Sequence, residues 1–472
     1  LDEKIRSTYA AHSSATNKNS LYDSYIRSFR WASDRIKDKG IVCYVTNGKF
    51  LDSNVADGLR KSWVDEFSSI YVFNLRGFIR GKSGDDAKRE GQNVFDIMTG
   101  VAITLLVKNP EKKGKCQLFY HDIGDYLKRE EKIKTITDFA SVKNIPWVKI
   151  TPNASHDWIN QRDPAFDKFI PLGDKENDSA KVLFGNYSGG LKTNRDTWCY
   201  NFSQSSLTEN MGRMIDFYKQ QVESFKKYRT GKGFKSPDER KAAVEKFVDT
   251  DTKKISWSRG LKDDFGRFIN HSFQAESIIQ GCYRPYCKQW VYFNKYFNDM
   301  LYQMPKIFPK AGMENLAICV PGLGSRKAFS ALLVDHLPDL NWFDGGNQCF
   351  PLYTYEKPTP AGGLLESVET GEYRRKENIP DAILADFRKV YNDAKISKED
   401  IFYYVYGILH SPEYKTRFAA DLKKMLPRIP FAGDFRAFST AGRELAQWHL
   451  NYESVEPYPL QESSGNLGFD PK

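Results

Sequence analysis

The chain has 472 residues, with 70 Lys and Arg against 60 Asp and Glu, a net charge of +10 and 14% aromatic residues. That length exceeds what one hydrophobic core serves and predicts two or three domains. No stretch approaches the ~18 uninterrupted apolar residues of a membrane span, which excludes a helical membrane protein and predicts a soluble one. The positive charge suits a polyanion through counterion release, but basic proteins that bind no nucleic acid share it, so charge alone decides nothing. Cys43, Cys116, Cys199, Cys282, Cys287, Cys319 and Cys349 are odd in number, scattered and without a CxxC pair. This argues against a disulfide framework or a zinc ribbon and fits a reducing cytoplasm. The opening residues Leu1-Asp2-Glu3-Lys4-Ile5-Arg6 lack an initiator Met and a signal-peptide pattern, and read as an interior cut.

Residues 21–38 place Phe29, Trp31, Ala32 and Ile36 at helical spacing, and Gly40 stops that helix. A short β-rich run follows at 40–47, then a second amphipathic segment over 55–67 and a strand from Ser69 to Leu75. Helix, strand, helix, strand is the signature of an α/β domain. The sequence turns polar and Gly-rich from Arg76 to about 92, predicting a loop or hairpin at the sheet edge, and returns as a strand at 101–107. Cys116–Tyr120 adds a further strand. The middle of the chain mixes short β-like runs, such as Lys181–Phe184 and Ala317–Val320, with helices predicted at 206–228 and 237–248. Between these helices, residues 226–235 form a basic linker interleaved with aromatics. The end is helical: Ile401–Leu409, a helix from Ser411-Pro412 through Leu426 to Pro427, and a last helix over about 440–451.

Several short motifs stand in a fixed order. Phe29-Arg30-Trp31-Ala32 is followed by Val45-Thr46-Asn47-Gly48-Lys49-Phe50-Leu51, Asn74-Leu75-Arg76-Gly77 and Asn93-Val94-Phe95-Asp96. Downstream come Gly190-Leu191-Lys192-Thr193-Asn194-Arg195-Asp196, Tyr283-Arg284-Pro285-Tyr286, Phe350-Pro351-Leu352-Tyr353, Tyr406-Gly407-Ile408-Leu409-His410-Ser411-Pro412 and Pro427-Arg428-Ile429-Pro430. In this order they resemble the gamma class of adenine-N6 DNA methyltransferases and, more closely, the Type ISP restriction-modification enzymes. In those single chains a nuclease, a helicase-like ATPase, a methyltransferase and a target-recognition domain follow one another. The resemblance covers nearly the whole chain and implies an α/β fold: a partial doubly wound methyltransferase sheet over 1–120, a mixed α/β target-recognition domain over 121–390 and a helical C-terminal segment over 391–472 packing on the recognition domain.

The resemblance implies sequence-specific recognition of double-stranded DNA within an enzyme that methylates adenine N6 using S-adenosylmethionine. ATP and Mg²⁺ serve the full-length enzyme, and the upstream domains of the same polypeptide are partners. The family's methyl-donor loop and its Asn/Asp-Pro-Pro-Tyr/Phe motif occur nowhere in this sequence, so this chain alone is expected to bind no cofactor and to transfer no methyl group. The resemblance also places Phe95, just before the last long strand, where a family aromatic closes one face of the flipped adenine; the alternative is a core Phe at a strand entry.

Loop cations are the natural readers of DNA, and Lys192, Asn194 and Arg195, with Arg259 and Lys262 in the echo Ser258-Arg259-Gly260-Leu261-Lys262 of Ser188-Gly189-Gly190-Leu191-Lys192, offer that chemistry. A structural turn with exposed lysines is the other reading of these residues. Arg284, flanked by aromatics, reads slightly better as an ion-paired core residue. The turn Pro321–Lys327 lacks the GxxxxGK[ST] spacing of a nucleotide loop, which leaves phosphate-backbone contacts for Arg326 and Lys327. The seven histidines show no metal-ligand spacing, and no metal site is expected. Two other functions compete: a protein-interaction scaffold with incidental charge, and a nucleotide-binding enzyme using the 321–327 turn.

Overall fold

The computed structural model describes residues 1–457 and 459, apart from 16, 178, 230–232, 324, 326 and 358–372. The chain forms two compact units. The first comprises Leu1–Phe169, Leu323–Phe329 and Pro412–Arg428; the second comprises Ile170–Gly322, Ser330–Ser411 and Ile429–Lys472. The architecture is mixed α/β.

The first unit is built on five strands: β1 (Gly40–Asn47), β2 (Ser69–Arg76), β3 (Val101–Lys108), β4 (Gln117–Asp122) and β5 (Val148–Ile150), in the spatial order β1-β3-β2-β4-β5. Strand β3 runs antiparallel between β1 and β2, so those two are parallel to each other. Strand β4 is parallel to β2, and β5 closes the edge antiparallel to β4. Both faces are covered. On one, Phe29 of the helix Ser24–Ser33 and Trp63 of the helix Asp57–Glu66 meet with ring centroids 4.6 Å apart, and Phe50 and Trp158 complete the cluster. On the other, Phe73, Leu75, Val101 and Ile123 pack with Ile136 and Phe139 of the helix Arg129–Phe139.

Two further features hold segments distant in sequence inside this unit. The buried Asp157 carboxylate lies 2.8 Å from Arg162, 3.1 Å from Lys424 and 3.6 Å from the fully buried Arg60. Arg60 in turn donates to the carbonyls of Phe50, Ser53 and His156 at 2.7–2.8 Å. Phe166, tilted, and Phe169, edge-on, pack against Phe418, which joins Tyr414. Of the C-terminal helices, Pro412–Arg417 and Ala419–Lys424 therefore belong to this unit. The polar insert predicted as a loop or hairpin contains a helix, Gly84–Glu90.

The second unit begins with β6 (Ile170–Pro171) and carries β7 (Ser188–Gly189), β8 (Tyr200–Asn201), β9 (Ile278–Arg284), β10 (Cys287–Tyr292), β11 (Ala317–Pro321), β12 (Leu332–Val334), β13 (Leu337–Pro338) and β14 (Asn347–Pro351). Two four-stranded sheets result, ordered β13-β9-β10-β8 and β12-β11-β14-β7. The run Lys181–Phe184, predicted as β-like, is irregular. The helix Gln204–Tyr228 buries Met211, Tyr218 and Phe225 against Phe265 and Val244, an apolar stripe at helical spacing that makes one core of the helices Gln204–Tyr228, Pro237–Phe247 and Arg259–Gly266. The helices Lys398–His410 and Phe435–Leu450 cross at their closest point through two glycines. A Cβ on Gly442 would lie 1.9 Å from the Tyr403 carbonyl, and one on Gly407 2.3 Å from that of Phe438, so neither position accepts a side chain.

Candidate nucleic-acid interface

Phe95 lies in the first unit, on the loop that leads into β3. This loop is fixed from within. Asn93 is buried; its Nδ2 donates to the carbonyls of Gly77 (3.2 Å) and Thr99 (2.7 Å), and its Oδ1 accepts from the Phe95 amide (2.9 Å). Gly77 sits at φ +83°, where a Cβ would lie 2.8 Å from that same Asn93 amide, so the motif Asn74–Gly77 and the motif Asn93–Asp96 form one interlocked turn. Val94 points into the core, and Asp96, itself at φ +57°, pairs with Arg129 at 2.5 Å. Beneath the loop the buried Lys132 donates to the carbonyls of Leu75 and Glu90, both at 2.9 Å. Burial pushes the Lys132 pKa down. The result is a rigid platform that presents Phe95 at 58% exposure, with Ile97 and Met98 also exposed beside it in sequence. Phe95 is thus not the core residue that a strand entry allows. Ile97 and Met98 escaped the sequence reading, and Asn93 entered it only as part of a motif, although an Asn two residues after a Gly and two before an aromatic is the signal of an Asx turn.

In the second unit the segment 190–196 is threaded between two others. The Leu191 amide donates to the Pro338 carbonyl and its carbonyl accepts from Leu340, both at 2.8 Å. The Lys192 amide donates to Met300 at 3.0 Å and its carbonyl accepts from Asp299 at 2.8 Å. Lys192 Nζ pairs with Asp299 at 2.8 Å and remains partly exposed. Asn194 is exposed, at φ +54°, and next to it in the fold Met300 and Tyr302 are also exposed. A lysine and an amide on one pinned turn, with an aromatic on the neighbouring segment, are the side chains that hold phosphate, pair with a base edge and stack. Thr193 and Tyr283 hydrogen-bond to Asp196, and Tyr200 and Arg284 hold the buried Asp339 at 3.2 and 2.8 Å, which fixes the turn from below. Burial raises the Asp339 pKa against the pull of the Asn341 amide and Arg284. Arg284 is thus ion-paired, and its guanidinium lies 3.9 Å over the Tyr283 ring.

Arg195 departs from its expected role as a base reader. It is 3% exposed, and its Nε, Nη1 and Nη2 are buried without a hydrogen-bond partner among the described residues. Burial pushes its pKa down. A guanidinium so enclosed reaches no base edge from this conformation.

Arg259 and Lys262 also differ in setting from the loop that the echo suggests. Ser258 caps the helix Arg259–Gly266 by accepting from the Leu261 amide at 3.2 Å, whereas Ser188–Gly189 is strand β7, so the five-residue echo has no common structure. Arg259 is exposed on the first turn of that helix, and Lys262 pairs with Glu245 at 2.6 Å. Arg326 lies outside the described residues; Lys327 is exposed and belongs to the first unit. Among the described residues no helix lies between β11 and β12, so the 321–327 turn does not lead into the helix N-terminus on which a nucleotide phosphate loop depends. The structure therefore separates the candidates into Phe95 and Lys327 in one unit and Lys192, Asn194, Arg259 and Lys262 in the other. No helix among the described residues is long and apolar enough to cross a membrane.

The model of the Type ISP C-terminal specificity domain family matches residues 182–468. Among solved structures, a nuclease-deletion mutant of the Type ISP restriction-modification enzyme LlaGI in complex with a DNA substrate mimic is 36% identical, with a TM-score of 0.78 over 97% of this chain and 40% of that one. The ATP-dependent Type ISP enzyme LlaBIII bound to DNA is 38% identical, with a TM-score of 0.78 over 98% of this chain and 28% of that one. A DrdV–DNA complex is 35% identical, again with a TM-score of 0.78, over 98% and 42% respectively. This chain thus spans less than half the length of each. No curated protein matches it.

Proposed function

The chain belongs to the Type ISP C-terminal specificity domain family, and on that premise we propose that it recognises a specific double-stranded DNA sequence for a restriction-modification enzyme. The observation that carries this reading is the match across 182–468 to a specificity domain, together with three similar structures that are described as DNA complexes. The pinned turn with exposed Asn194 and partly exposed Lys192 supplies a base-reading amide and a phosphate-holding cation, and Arg259, Lys262 and Lys327 supply further positive charge. In the longer enzyme the modification is methylation of adenine N6 from S-adenosylmethionine. Phe95 stacks on the extruded base there and replaces the neighbours it loses. The upstream domains of the same polypeptide supply the donor site, the catalytic motif and the ATP- and Mg²⁺-dependent restriction activity, in the bacterial cytoplasm.

Mapping N6-methyladenine in DNA from a host that expresses the full-length enzyme gives the recognised sequence. Fluorescence anisotropy of this chain with labelled duplexes then tests the proposal. The expected result is a preference for the mapped sequence of ~10³-fold or more over random duplex at fixed salt. Equal affinity for both duplexes, with the chain folded, refutes it.

A further inference from the structure

Strands β9 and β13 of the second unit pair in parallel, with Pro338 opposite Cys282. That register brings the two residues just before β13, Asp335 and His336, beside the thiol of Cys282. One donor atom from each of the three, Sγ, a carboxylate oxygen and a ring nitrogen, lies within 4.8 Å of the other two. Cys282 is 7% exposed, whereas Asp335 and His336 remain partly open to solvent, so the cluster has a buried soft end and an accessible polar end.

Its donors are already ordered. His336 Nδ1 lies 2.5 Å from Asp335 Oδ1, the carboxylate–imidazole contact that sets a histidine's orientation and tautomer. A second observation points to an occupant. Cys282 and Asp335 line a small cavity together with Trp342, which is 5% exposed and whose indole N–H is buried without a hydrogen-bond partner among the described residues. A donor of that kind suits a water or hydroxide bound at the open position of a three-ligand metal. Lys288 also lines the cavity, but its Nζ is engaged by Glu453 at 3.0 Å and lies over the Tyr452 ring.

We propose that Cys282, Asp335 and His336 form a binding site for a divalent transition metal, best suited to Zn²⁺. Thiolate, imidazole and carboxylate are together the donors that zinc takes in a four-coordinate site, and the thiolate disfavours Mg²⁺ and Ca²⁺. Binding releases the thiol proton to solvent and ties β9 to the segment between β12 and β13. The site is independent of any role in DNA recognition.

Cobalt(II) titration of the metal-stripped 472-residue chain, followed by its visible and near-ultraviolet spectra, tests this. The expected result is one equivalent bound, with a thiolate-to-cobalt charge-transfer band that Zn²⁺ abolishes. Cys282→Ser should remove the band, while Cys287→Ser, a control on the other cysteine lining the cavity, should keep it. His336→Ala and Asp335→Asn should retain a thiolate band but weaken binding by at least ~100-fold and ~10-fold. Circular dichroism confirms that each variant is folded. Should Cys282→Ser not fold, the two partly exposed ligands decide: weakened cobalt binding in both supports the site. Absence of the band in the wild-type chain, its persistence in Cys282→Ser, or unchanged affinity in both His336→Ala and Asp335→Asn overturns it.

Discussion

Replacing Phe95 separates a stacking role from a structural one because the two predict opposite balances of stability and activity. Burying a Phe completely is worth about 1.5–3 kcal/mol, and Phe95 keeps 58% of its surface exposed, so Phe95→Ala should cost the fold no more than about 1 kcal/mol. Its backbone contacts run through Asn93 and survive the change. Loss of a base-stacking face, by contrast, removes ~1–3 kcal/mol, which corresponds to a fall in methylation of roughly 5- to 150-fold in the full-length enzyme. The assay pairs thermal melting with methylation kinetics and with the fluorescence of 2-aminopurine at the target position. An extruded 2-aminopurine no longer quenched by a stacked ring should be brighter in the variant. Asn93→Ala is the positioning control: it leaves the Gly77 and Thr99 carbonyls and the Phe95 amide without their partner, so it should cost about 2–4 kcal/mol of stability and lower methylation while Phe95 itself is intact. Unchanged methylation and fluorescence in a folded Phe95→Ala enzyme would refute the stacking argument.

Lys192→Ala and Lys262→Ala should each lower the slope of log K against log salt for duplex binding by roughly one unit. Both lysines sit in partly exposed ion pairs, so melting temperatures should barely move; parallel salt titrations that superimpose on wild type would remove these lysines from the interface. Arg195→Met should keep or raise the melting temperature, since a buried guanidinium without hydrogen-bond partners is replaced by an apolar chain of similar length, and site preference should persist. A folded Arg195→Met chain that binds all duplexes equally would return Arg195 to the reading surface. Burial pushes the Asp157 pKa up, but Arg162, Lys424 and Asn153 more than compensate and hold it at about 2. A folded pKa below the unfolded one contributes stability that is complete above about pH 4 and is lost as pH falls toward 2, so the stability difference between wild type and Asp157→Asn should be several kcal/mol at pH 6 and shrink below pH 4. A difference that stays constant from pH 6 to pH 3 contradicts the ionised hub.

The regular elements were legible where apolar period alone decides them. Strands at 40–47, 69–75 and 101–107 and helices at 206–228 and 237–248 lie within a residue or two of Gly40–Asn47, Ser69–Arg76, Val101–Lys108, Gln204–Tyr228 and Pro237–Phe247. Strand neighbours were not, because pairing is non-local: nothing in the order of three strands says that the third inserts antiparallel between the first two. The helix from Pro412 was expected to continue to Pro427 but breaks at Phe418, whose backbone leaves the helical region at φ −102° and ψ 22°. The cause is tertiary. Phe418 packs on Phe166 and Phe169, residues that no local window around 418 contains.

For the site, side-chain chemistry was legible and burial was not. Lys192, Asn194 and Arg195 look alike as loop cations and amide, yet Asn194, in the left-handed region, stands in solvent while Arg195 beside it lies in the interior. The same blindness runs the other way at Ser258: Leu261 and Phe265, three and seven residues on, already mark a capped amphipathic helix, so Lys262 belongs to a helix face and not to a reading loop. Asp335-His336 and Cys282 have no metal-ligand spacing because the strands β10, β11 and β12 lie between them in the chain. Only the parallel register of β9 with β13, with Cys282 opposite Pro338, places His336 two residues from the partner of that cysteine. A motif search scores distance along the chain, and a ligand set assembled by strand pairing is invisible to it until the sheet is known.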